Sequence, residues 1–291
     1  MKRFSILFSI VLSIVFTSCE DVIQVELDKG EDLVVIDAFI NGNKTNQKVR
    51  LTYTDDYFSS KNPPAIIGAT VKLTDLSNGK IYNFTDINNG DYIYTPTASD
   101  TIVHWFHNYK LEVTYNGKTY SSVTESNRAA KLDSISAKYE DGSSIFASEP
   151  GYYCVLWARD LPGPKSDYYW VKTSKNGIPF NLSNQINIAI DGTNGSVPSG
   201  DTLLFTPPII TNITPFGEVY ELGDSCSVEI HAITKETYFF LLQVINQTNN
   251  SGLFATTPEN VRTNIITPDG ATKGIGWFSV ANTSVGWKKI K

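Results

Sequence analysis

The sequence is poor in the residues that most often carry enzyme chemistry. Its 291 residues include only three cysteines, three histidines and one methionine. Few histidines leave few general bases and few nitrogen ligands for a metal ion. The sequence also lacks the Gly-x-Ser-x-Gly elbow of many hydrolases, the His-Glu-x-x-His pair of zinc peptidases and a phosphate-binding loop. These absences argue against the commonest enzyme classes, and we predict no cofactor.

Positive charge is also scarce, whereas aromatic and turn-forming residues are common. The chain has 24 Lys and Arg against 30 Asp and Glu residues, a net charge of −6. A protein that grips the phosphate backbone needs a basic surface, so nucleic acid is not an expected partner. The chain also contains 15 Tyr, 15 Phe, 5 Trp and 20 Gly residues. This composition favours strands and turns over helices, and we predict an all-β fold.

The amino terminus has the pattern of an export signal. Two basic residues precede an apolar run over residues 4–16, which is too short to cross a membrane and ends at small residues. The segment Phe16-Thr17-Ser18-Cys19 resembles a bacterial lipobox, although Phe16 stands where an aliphatic residue is usual. We therefore predict a lipoprotein signal peptide over residues 1–18 and a diacylglycerol on the thiol of Cys19. An ordinary secreted protein with a coincidental cysteine is the alternative.

The residues after the predicted cleavage site are acidic. Removal of residues 1–18 leaves 22 basic against 30 acidic residues, so the mature chain has a net charge of −8 (22 − 30). We interpret residues 19–32 as a tether between the lipid and the first strand. Acidic residues directly after a lipidated cysteine resemble the surface-export signal of some Bacteroidetes lipoproteins, and a solvated linker explains them equally well. The periplasmic and the extracellular leaflet therefore both stay open.

Residues 33–126 alternate apolar and polar residues in short runs, as half-buried strands do. Turn-forming pairs such as Asn41-Gly42 and Asn116-Gly117 separate the runs. Strands at intervals of about 8–12 residues predict a β-sandwich. The strand over residues 68–75 and the runs after it resemble immunoglobulin-like or transthyretin-like modules. Strands are predicted at residues 33–40, 48–53, 69–75, 80–85, 91–95, 109–115 and 118–124.

A polar, aperiodic stretch at residues 125–130 predicts a boundary, with a second β-rich domain over residues 131–291. Two β-sandwich domains are therefore expected. In the second, Thr234 has the position of a helix cap, and apolar residues recur after it at helical spacing. We predict a buried helix near residues 235–249, with a core strand at 238–242 as the alternative. Strands are predicted at residues 132–140, 152–159, 168–175, 185–190, 202–205, 226–234, 276–281 and 285–290.

Cys154 and Cys226 are predicted to face the core of the second domain. Each lies on a predicted strand and alternates with apolar neighbours. In an exported protein two such thiols can form a disulfide, which would close a loop of about 70 residues. Two separate buried thiols that behave as small apolar side chains are the alternative.

Two polar motifs imitate metal sites without supplying the ligands. His104 and His107 are three residues apart, so on a strand they should point to opposite faces. Asp86-Ile87-Asn88-Asn89-Gly90-Asp91 imitates the start of a calcium loop, but Thr97 stands where a bidentate glutamate is needed. We predict no metal site and interpret the second motif as a hairpin turn.

Several ordered motifs run along the mature chain. They are Cys19-Glu20-Asp21-Val22-Ile23, Gly68-Ala69-Thr70-Val71, Asp160-Leu161-Pro162-Gly163-Pro164 with Asp167-Tyr168-Tyr169-Trp170, Ile233-Thr234-Lys235-Glu236-Thr237-Tyr238, Gly252-Leu253-Phe254-Ala255-Thr256-Thr257-Pro258 and Gly276-Trp277-Phe278-Ser279. Together they resemble the Bacteroidetes lipoprotein family catalogued as domain of unknown function 4249. The resemblance implies an outer-membrane lipoprotein, often encoded beside TonB-dependent receptors. It implies no chemistry and no catalytic residue.

The sequence thus predicts a lipid-anchored outer-membrane or cell-surface protein that acts by binding and is held to the membrane through Cys19. The leading hypothesis is an accessory role beside a TonB-dependent β-barrel receptor in an uptake or surface complex. A structural or adhesive surface protein is one alternative. A hydrolase with an unfamiliar pair of serine and acidic residues is another. Aromatic residues are interpreted mainly as core, with stacking on a sugar or a partner as the alternative.

Overall fold

A computed structural model describes residues 31–56, 59, 61–144, 147, 149–159, 167–190, 213–249, 259–267 and 274–291. The chain from Asp32 to Lys291 is grouped as one compact unit. Cys19, the signal peptide and nearly all of the tether lie outside the described residues, as does the strand predicted at 202–205. In the described part, no helix is both long and apolar enough to span a bilayer.

Seven strands make up the amino-terminal half, and each agrees with a predicted strand to within one residue at either end. Alternate side chains of these strands, such as Ile36 and Ala38, are buried in a shared core. The strands are β1 Val34–Asn41, β2 Gln47–Tyr53, β3 Thr70–Asp75, β4 Ile81–Asp86, β5 Asp91–Tyr94, β6 Asn108–Tyr115 and β7 Lys118–Glu125.

The two predicted Asn-Gly turns have different outcomes. Asn116 and Gly117 have φ angles of 49° and 73°, the left-handed conformation of a two-residue hairpin, and they join β6 to β7 as predicted. Asn41-Gly42 does not form such a turn. The N–H of Gly42 donates to the carbonyl of Ala281 at 3.1 Å, and the chain needs a longer loop to enter β2.

Among its described residues, the carboxy-terminal half contains seven further strands and one α-helix. The prediction of an all-β protein with one helix is confirmed. The elements are β8 Lys131–Asp141, β9 Pro150–Arg159, β10 Tyr168–Lys175, β11 Ile178–Pro179, a 3₁₀ turn Ser183–Gln185, β12 Asn187–Ile190, β13 Ser225–Ile233, α1 Lys235–Thr248 and β14 Ile275–Lys289. The strands predicted at 276–281 and 285–290 are one strand, because the polar residues between them pair with β13.

Twelve strands form one mixed sheet, in the order β11, β10, β13, β14, β1, β2, β5, β4, β3, β6, β7, with β12 paired to β10. β8 and β9 form a separate pair. The first part of β14 lies parallel to β1, and its second part lies antiparallel to β13. Gly276 permits the close approach of β14 to β1. Its φ is 113°, and a Cβ at this position would overlap the carbonyl of Ile36.

Three apolar clusters stabilise this arrangement. The first belongs to β1–β7 but includes Phe278 and Val280 of β14. The second lies between the β8–β9 pair and one face of β10 and β13. The third joins α1 to the other face of the sheet, where Trp277 and Ile233 are buried. The core of the amino-terminal strands is therefore completed by a strand from the far end of the chain.

The helix prediction is confirmed, and the alternative core strand is wrong. The hydroxyl of Thr234 accepts a hydrogen bond from the backbone N–H of Thr237 at 3.2 Å, which caps α1. Glu236 in the first turn complements the positive end of the helix dipole. Tyr238 and Leu241 are buried on the face that meets the third cluster.

The segment predicted as a domain boundary, residues 125–130, is anchored on the second half of the chain. The side-chain amide of Asn127 donates to the carbonyl of Ile233 at 2.8 Å. The side chain of Asn282 donates in turn to the carbonyl of Asn127 at 2.7 Å. The boundary itself stays a prediction.

Candidate functional site

A cavity of about 460 Å³ lies beside α1, and strands β1, β10 and β14 contribute to its walls. Cavities of this size are typical of sites that enclose a small molecule. Five segments supply most of its walls: residues 35–39 of β1, 170–172 of β10, 180–186, 240–244 of α1 and 275–277 of β14. The cavity is therefore built by residues far apart in sequence and depends on the long-range pairing of β14.

Strand alternation places an acidic side chain in the cavity. Ile36 and Ala38 of β1 are buried in the first cluster. Val35, Asp37 and Phe39 therefore point to the opposite face of the sheet, and all three line the cavity. A charged residue in the middle of an apolar strand is explained by this position.

Fixed aromatic pairs form the apolar walls. Phe240 of α1 stacks on Trp277 of β14 with ring centroids 4.4 Å apart and planes 13° apart. The indole N–H of Trp277 donates to the hydroxyl of Thr237 at 3.1 Å. Phe39 meets Trp170 edge to face at 5.2 Å. Rings held by stacking and by hydrogen bonds present a preformed surface to a ligand.

Asp37 carries a negative charge that the positive charges around it compensate only in part. Water reaches its side chain, yet the protein surrounds the carboxylate closely enough that burial raises its pKa. A concave site accounts for both observations. The positive charges of Lys48 and Lys172 counteract the rise only in part. Within the described part of the chain, no hydrogen bond and no ion pair within 4.0 Å engages this carboxylate.

Lys172 carries the matching positive charge. Its Nζ lies 3.7 Å from the centroid of the Trp170 ring, a cation–π contact that orients the ammonium group. Burial lowers the pKa of Lys172, and the negative charges of Glu229 and Asp37 counteract this in part. Among the described residues, no carboxylate lies within 4.0 Å of its Nζ. The cavity thus has one acid and one base that are near each other but not paired.

A group of hydrogen-bonded side chains lies beside Lys172, because Glu229 is its partner on the neighbouring strand β13. His231 Nε2 and Glu229 Oε2 are 2.8 Å apart, and the side chain of Asn43 donates to the same carboxylate oxygen at 3.0 Å. Burial lowers the pKa of His231, so the imidazole is neutral at pH 7 and donates its N–H. The hydrogen bond from His231 lowers the pKa of Glu229, which therefore stays ionised and favours the charged form of Lys172.

The two predicted core cysteines come together. Cys154 of β9 and Cys226 of β13 are fully buried in the second cluster, and the interaction with Cys226 raises the pKa of the Cys154 thiol. Their strands belong to different sheets, so the contact is made between sheets rather than between neighbouring strands. Both are free thiols here, and the disulfide stays a prediction.

The expectation that His104 and His107 point to opposite faces is wrong. They lie in a turn rather than on a strand, and Phe106 between them has a φ of 60°. Their rings are consequently only 4.9 Å apart. His107 Nδ1 lies 2.8 Å from the buried carboxylate of Asp75. No cluster of three or more potential metal ligands occurs among the described residues.

The motif that imitates a calcium loop is a turn, as predicted. The carboxylate of Asp86 accepts hydrogen bonds from the backbone N–H groups of Gly68 at 2.6 Å and Asn88 at 2.7 Å, and these bonds lower its pKa. Asn88 and Gly90 have positive φ angles, which reverse the chain between β4 and β5. The acidic side chain therefore stabilises the backbone of the turn.

Sequence reasoning missed the two charged cavity residues. Asp37 interrupts an otherwise apolar run between Val35 and Phe39, and Lys172 follows a tryptophan two positions earlier on the same face. A charge at an apolar strand position was therefore a usable signal. The aromatic residues divide: Tyr169 is core, whereas Trp157 and Trp287 are exposed.

Comparison with known proteins supplies a family but no function. A sequence model described as "Domain of unknown function (DUF4249)" matches residues 20–285. No curated protein matches the sequence. A solved structure titled "Structural insight into host cell surface retention of a 1.5-MDa bacterial ice-binding adhesin" is 13% identical, with a TM-score of 0.18. That match covers 91% of this chain and 66% of the other, and similarity this low supports no inference about fold or role.

Proposed function

The chain belongs to the family described as domain of unknown function DUF4249, and we propose that it is a lipid-anchored outer-membrane or cell-surface protein that binds a small ligand in the cavity beside α1. The observation that carries the binding role is the pair of opposite charges, Asp37 and Lys172, on apolar aromatic walls. Sites that combine an apolar cavity with a few convergent polar groups and shifted pKa values are typical of ligand recognition.

The energetics support a site rather than a scaffold. A charge that is partly removed from bulk water and has no counter-charge within 4.0 Å costs free energy, and burial is the largest cause of the shifted pKa values of both Asp37 and Lys172. The walls are already fixed by aromatic contacts, so a ligand would not have to order them. A ligand that supplied the missing partners would recover free energy that the empty protein lacks.

Thermal unfolding with a panel of ligands tests the binding role. Apolar amino acids and short peptides, sugars and fatty acids are added in turn, and a ligand at 100 times its Kd should stabilise the protein by about 2.7 kcal/mol. Val244→Trp fills the cavity from α1, whereas Val123→Trp places the same side chain at an exposed valine.

One class should raise the unfolding midpoint of the wild type and of Val123→Trp but not of Val244→Trp. Equal stabilisation of all three proteins, or of none, would contradict binding in the cavity.

Anchoring through Cys19 is part of the proposal and rests on the sequence pattern before it. Cys19→Ala should leave an uncleaved precursor or a soluble form, because the lipid-modified thiol is lost. Cys226→Ala, at a buried thiol of the fold, is the control. Fractionation of cells and the intact mass give the readout. An unchanged mature mass and membrane fraction in Cys19→Ala would rule the anchor out.

We place the protein beside a TonB-dependent β-barrel receptor, as the family resemblance implies. Affinity purification with the anchor intact should recover such a barrel together with the chain. Recovery of the chain alone, with adhesion to a surface or turnover of a polymer, would favour the adhesive or the hydrolytic alternative instead.

A further inference from the structure

The chemistry of the cavity walls defines the charge of the ligand. Asp37 lies on β1 and Lys172 on β10, strands that are not neighbours in the sheet. Both side chains line the same cavity without an ion pair between them. A ligand with one negative charge would match Lys172 and leave Asp37 without a partner, and a cation would do the reverse. A neutral ligand would leave both charges buried beneath it, which is costly.

The remaining walls define the body of the ligand. Apart from the two charged residues the lining is mainly aromatic and aliphatic, with Phe39, Phe240 and Trp277 among its residues. A sugar needs several polar groups aimed at its hydroxyls, and the cavity has few. Of its two side-chain amides, that of Gln185 is engaged: it accepts from the N–H of Leu182 at 3.0 Å and donates to Glu218 at 3.4 Å.

We propose that the cavity binds a zwitterion with an apolar body, namely an apolar amino acid or short apolar peptide with free termini. Its ammonium group would meet the carboxylate of Asp37, and its carboxylate would meet the ammonium of Lys172. The cation–π contact with the ring of Trp170 already orients the ammonium group of Lys172. This inference rests on the proposed binding function and adds the class of ligand.

Titration calorimetry on the full-length protein in detergent tests the proposal, with leucyl-leucine as the probe. N-acetyl-leucyl-leucine lacks the cationic end, and leucyl-leucine amide lacks the anionic end. Maltose and decanoate represent a sugar and a single-charge apolar ligand. Each blocked peptide loses a hydrogen bond to a charged group and should therefore bind about 10- to 100-fold more weakly than the free one.

Two variants assign each terminus to its residue. Asp37→Asn should abolish the preference for a free amine but keep the preference for a free carboxylate, and Lys172→Met should do the opposite. Lys138→Met, at a surface lysine paired with Glu140, should change neither preference. The wild-type comparison of free and blocked peptides stands even if one variant fails to fold.

The outcomes separate the two levels of the proposal. Tight binding of the free peptide with the crossed pattern of losses supports both. Binding of maltose or decanoate while the peptides give no heat would overturn the zwitterion and leave the binding function standing. Equal binding of free and blocked peptides would also overturn it. No heat with any of the five probes would count against both.

Discussion

The amino-terminal strands and the cavity treat charged side chains in opposite ways. On β3 and β6, Lys72 and Glu112 form an ion pair at 2.9 Å on a surface that water reaches. In the cavity, Asp37 and Lys172 lie within each other's electrostatic influence, yet no ion pair engages either one among the described residues. Surface pairs add little stability and cost little. The two cavity charges have a larger desolvation cost, and no ion pair within 4.0 Å offsets it among the described residues.

This difference indicates which region is scaffold and which is site. Stability alone would replace two unpaired charges in an apolar cavity by apolar side chains. Strands β3 and β6 follow the rule that stability sets at this position, because the exposed charges of Lys72 and Glu112 are paired. The cavity departs from it at Asp37 and Lys172. Departures of this kind are characteristic of sites that stabilise a ligand at the expense of the empty protein.

Breaking the junction between the two regions should have the largest effect. Gly276→Ala places a Cβ against the carbonyl of Ile36 at a φ of 113° and should separate β14 from β1. We expect a loss of more than about 4 kcal/mol of unfolding free energy, with ligand binding lost as well. Gly117→Ala, also at positive φ but with open space around it, should cost about 1–2 kcal/mol.

Urea unfolding followed by circular dichroism measures both variants. Equal losses for Gly276→Ala and Gly117→Ala would show that the parallel pairing of β1 with β14 does not hold the two regions together.

The second largest effect should come from oxidation of the two buried thiols in the second apolar cluster. Cys154 and Cys226 are buried in the same cluster and interact electrostatically, so an added disulfide-forming oxidant should bridge them and stabilise the protein by about 3–5 kcal/mol if the geometry is unstrained. Both thiols are fully buried, so an external oxidant should reach them slowly. Mass spectrometry under non-reducing conditions after alkylation gives the readout. Two alkylated thiols in the oxidised sample would contradict the bridge.

Local pattern predicted the elements of both regions but not how they meet. Alternation gave the strands of the amino-terminal half to within one residue, and the Thr234 cap gave the helix. The parallel pairing joins Ile36 to Gly276, residues that most of the chain separates, and no local sequence pattern predicts it. The polar residues around Thr283 separate the strands predicted at 276–281 and 285–290, but in the structure they pair with β13. A polar run is compatible with a turn and with an exposed part of a strand.

The cavity was beyond sequence reasoning for the same reason. Its charges, Asp37 and Lys172, are separated by 135 positions (172 − 37) and converge only because β14 pairs with strands from both halves. Each was visible as a charge at an apolar position of a strand. That the two charges line the same cavity depends on the tertiary structure, which the sequence pattern does not reveal.

A smaller effect is expected from a cut at the predicted boundary. A protease that cuts within residues 125–131 should give a carboxy-terminal piece that starts there. Because β1 stays paired with β14, we expect both pieces to stay together on native gel filtration and to separate only on a denaturing gel. Asn127→Ala removes the hydrogen bond to Ile233 and should speed the cut. Cleavage only elsewhere, or pieces that part without denaturant, would contradict this prediction.

The smallest effect should be a gain in stability. Asp37→Asn keeps the size of the side chain and removes a charge that the cavity desolvates, so the empty protein should become more stable at pH 7 by about 0.5–1 kcal/mol. Water that reaches the carboxylate keeps the gain small. Asp91→Asn is the matched control: its carboxylate accepts from Arg50 at 2.9 Å, so the same change should cost stability.

The pH dependence fixes the sign of the Asp37 effect. The pKa of Asp37 is raised in the folded protein, so between its ordinary value of 3.8 and the raised value the folded state binds more protons than the unfolded state. Stability from this group therefore falls as pH rises through that window. The advantage of Asp37→Asn should be full at pH 7 and shrink as pH is lowered toward 3.8. Urea midpoints at several pH values measure it, and an advantage that grows on acidification would show that desolvation of Asp37 is not the cause.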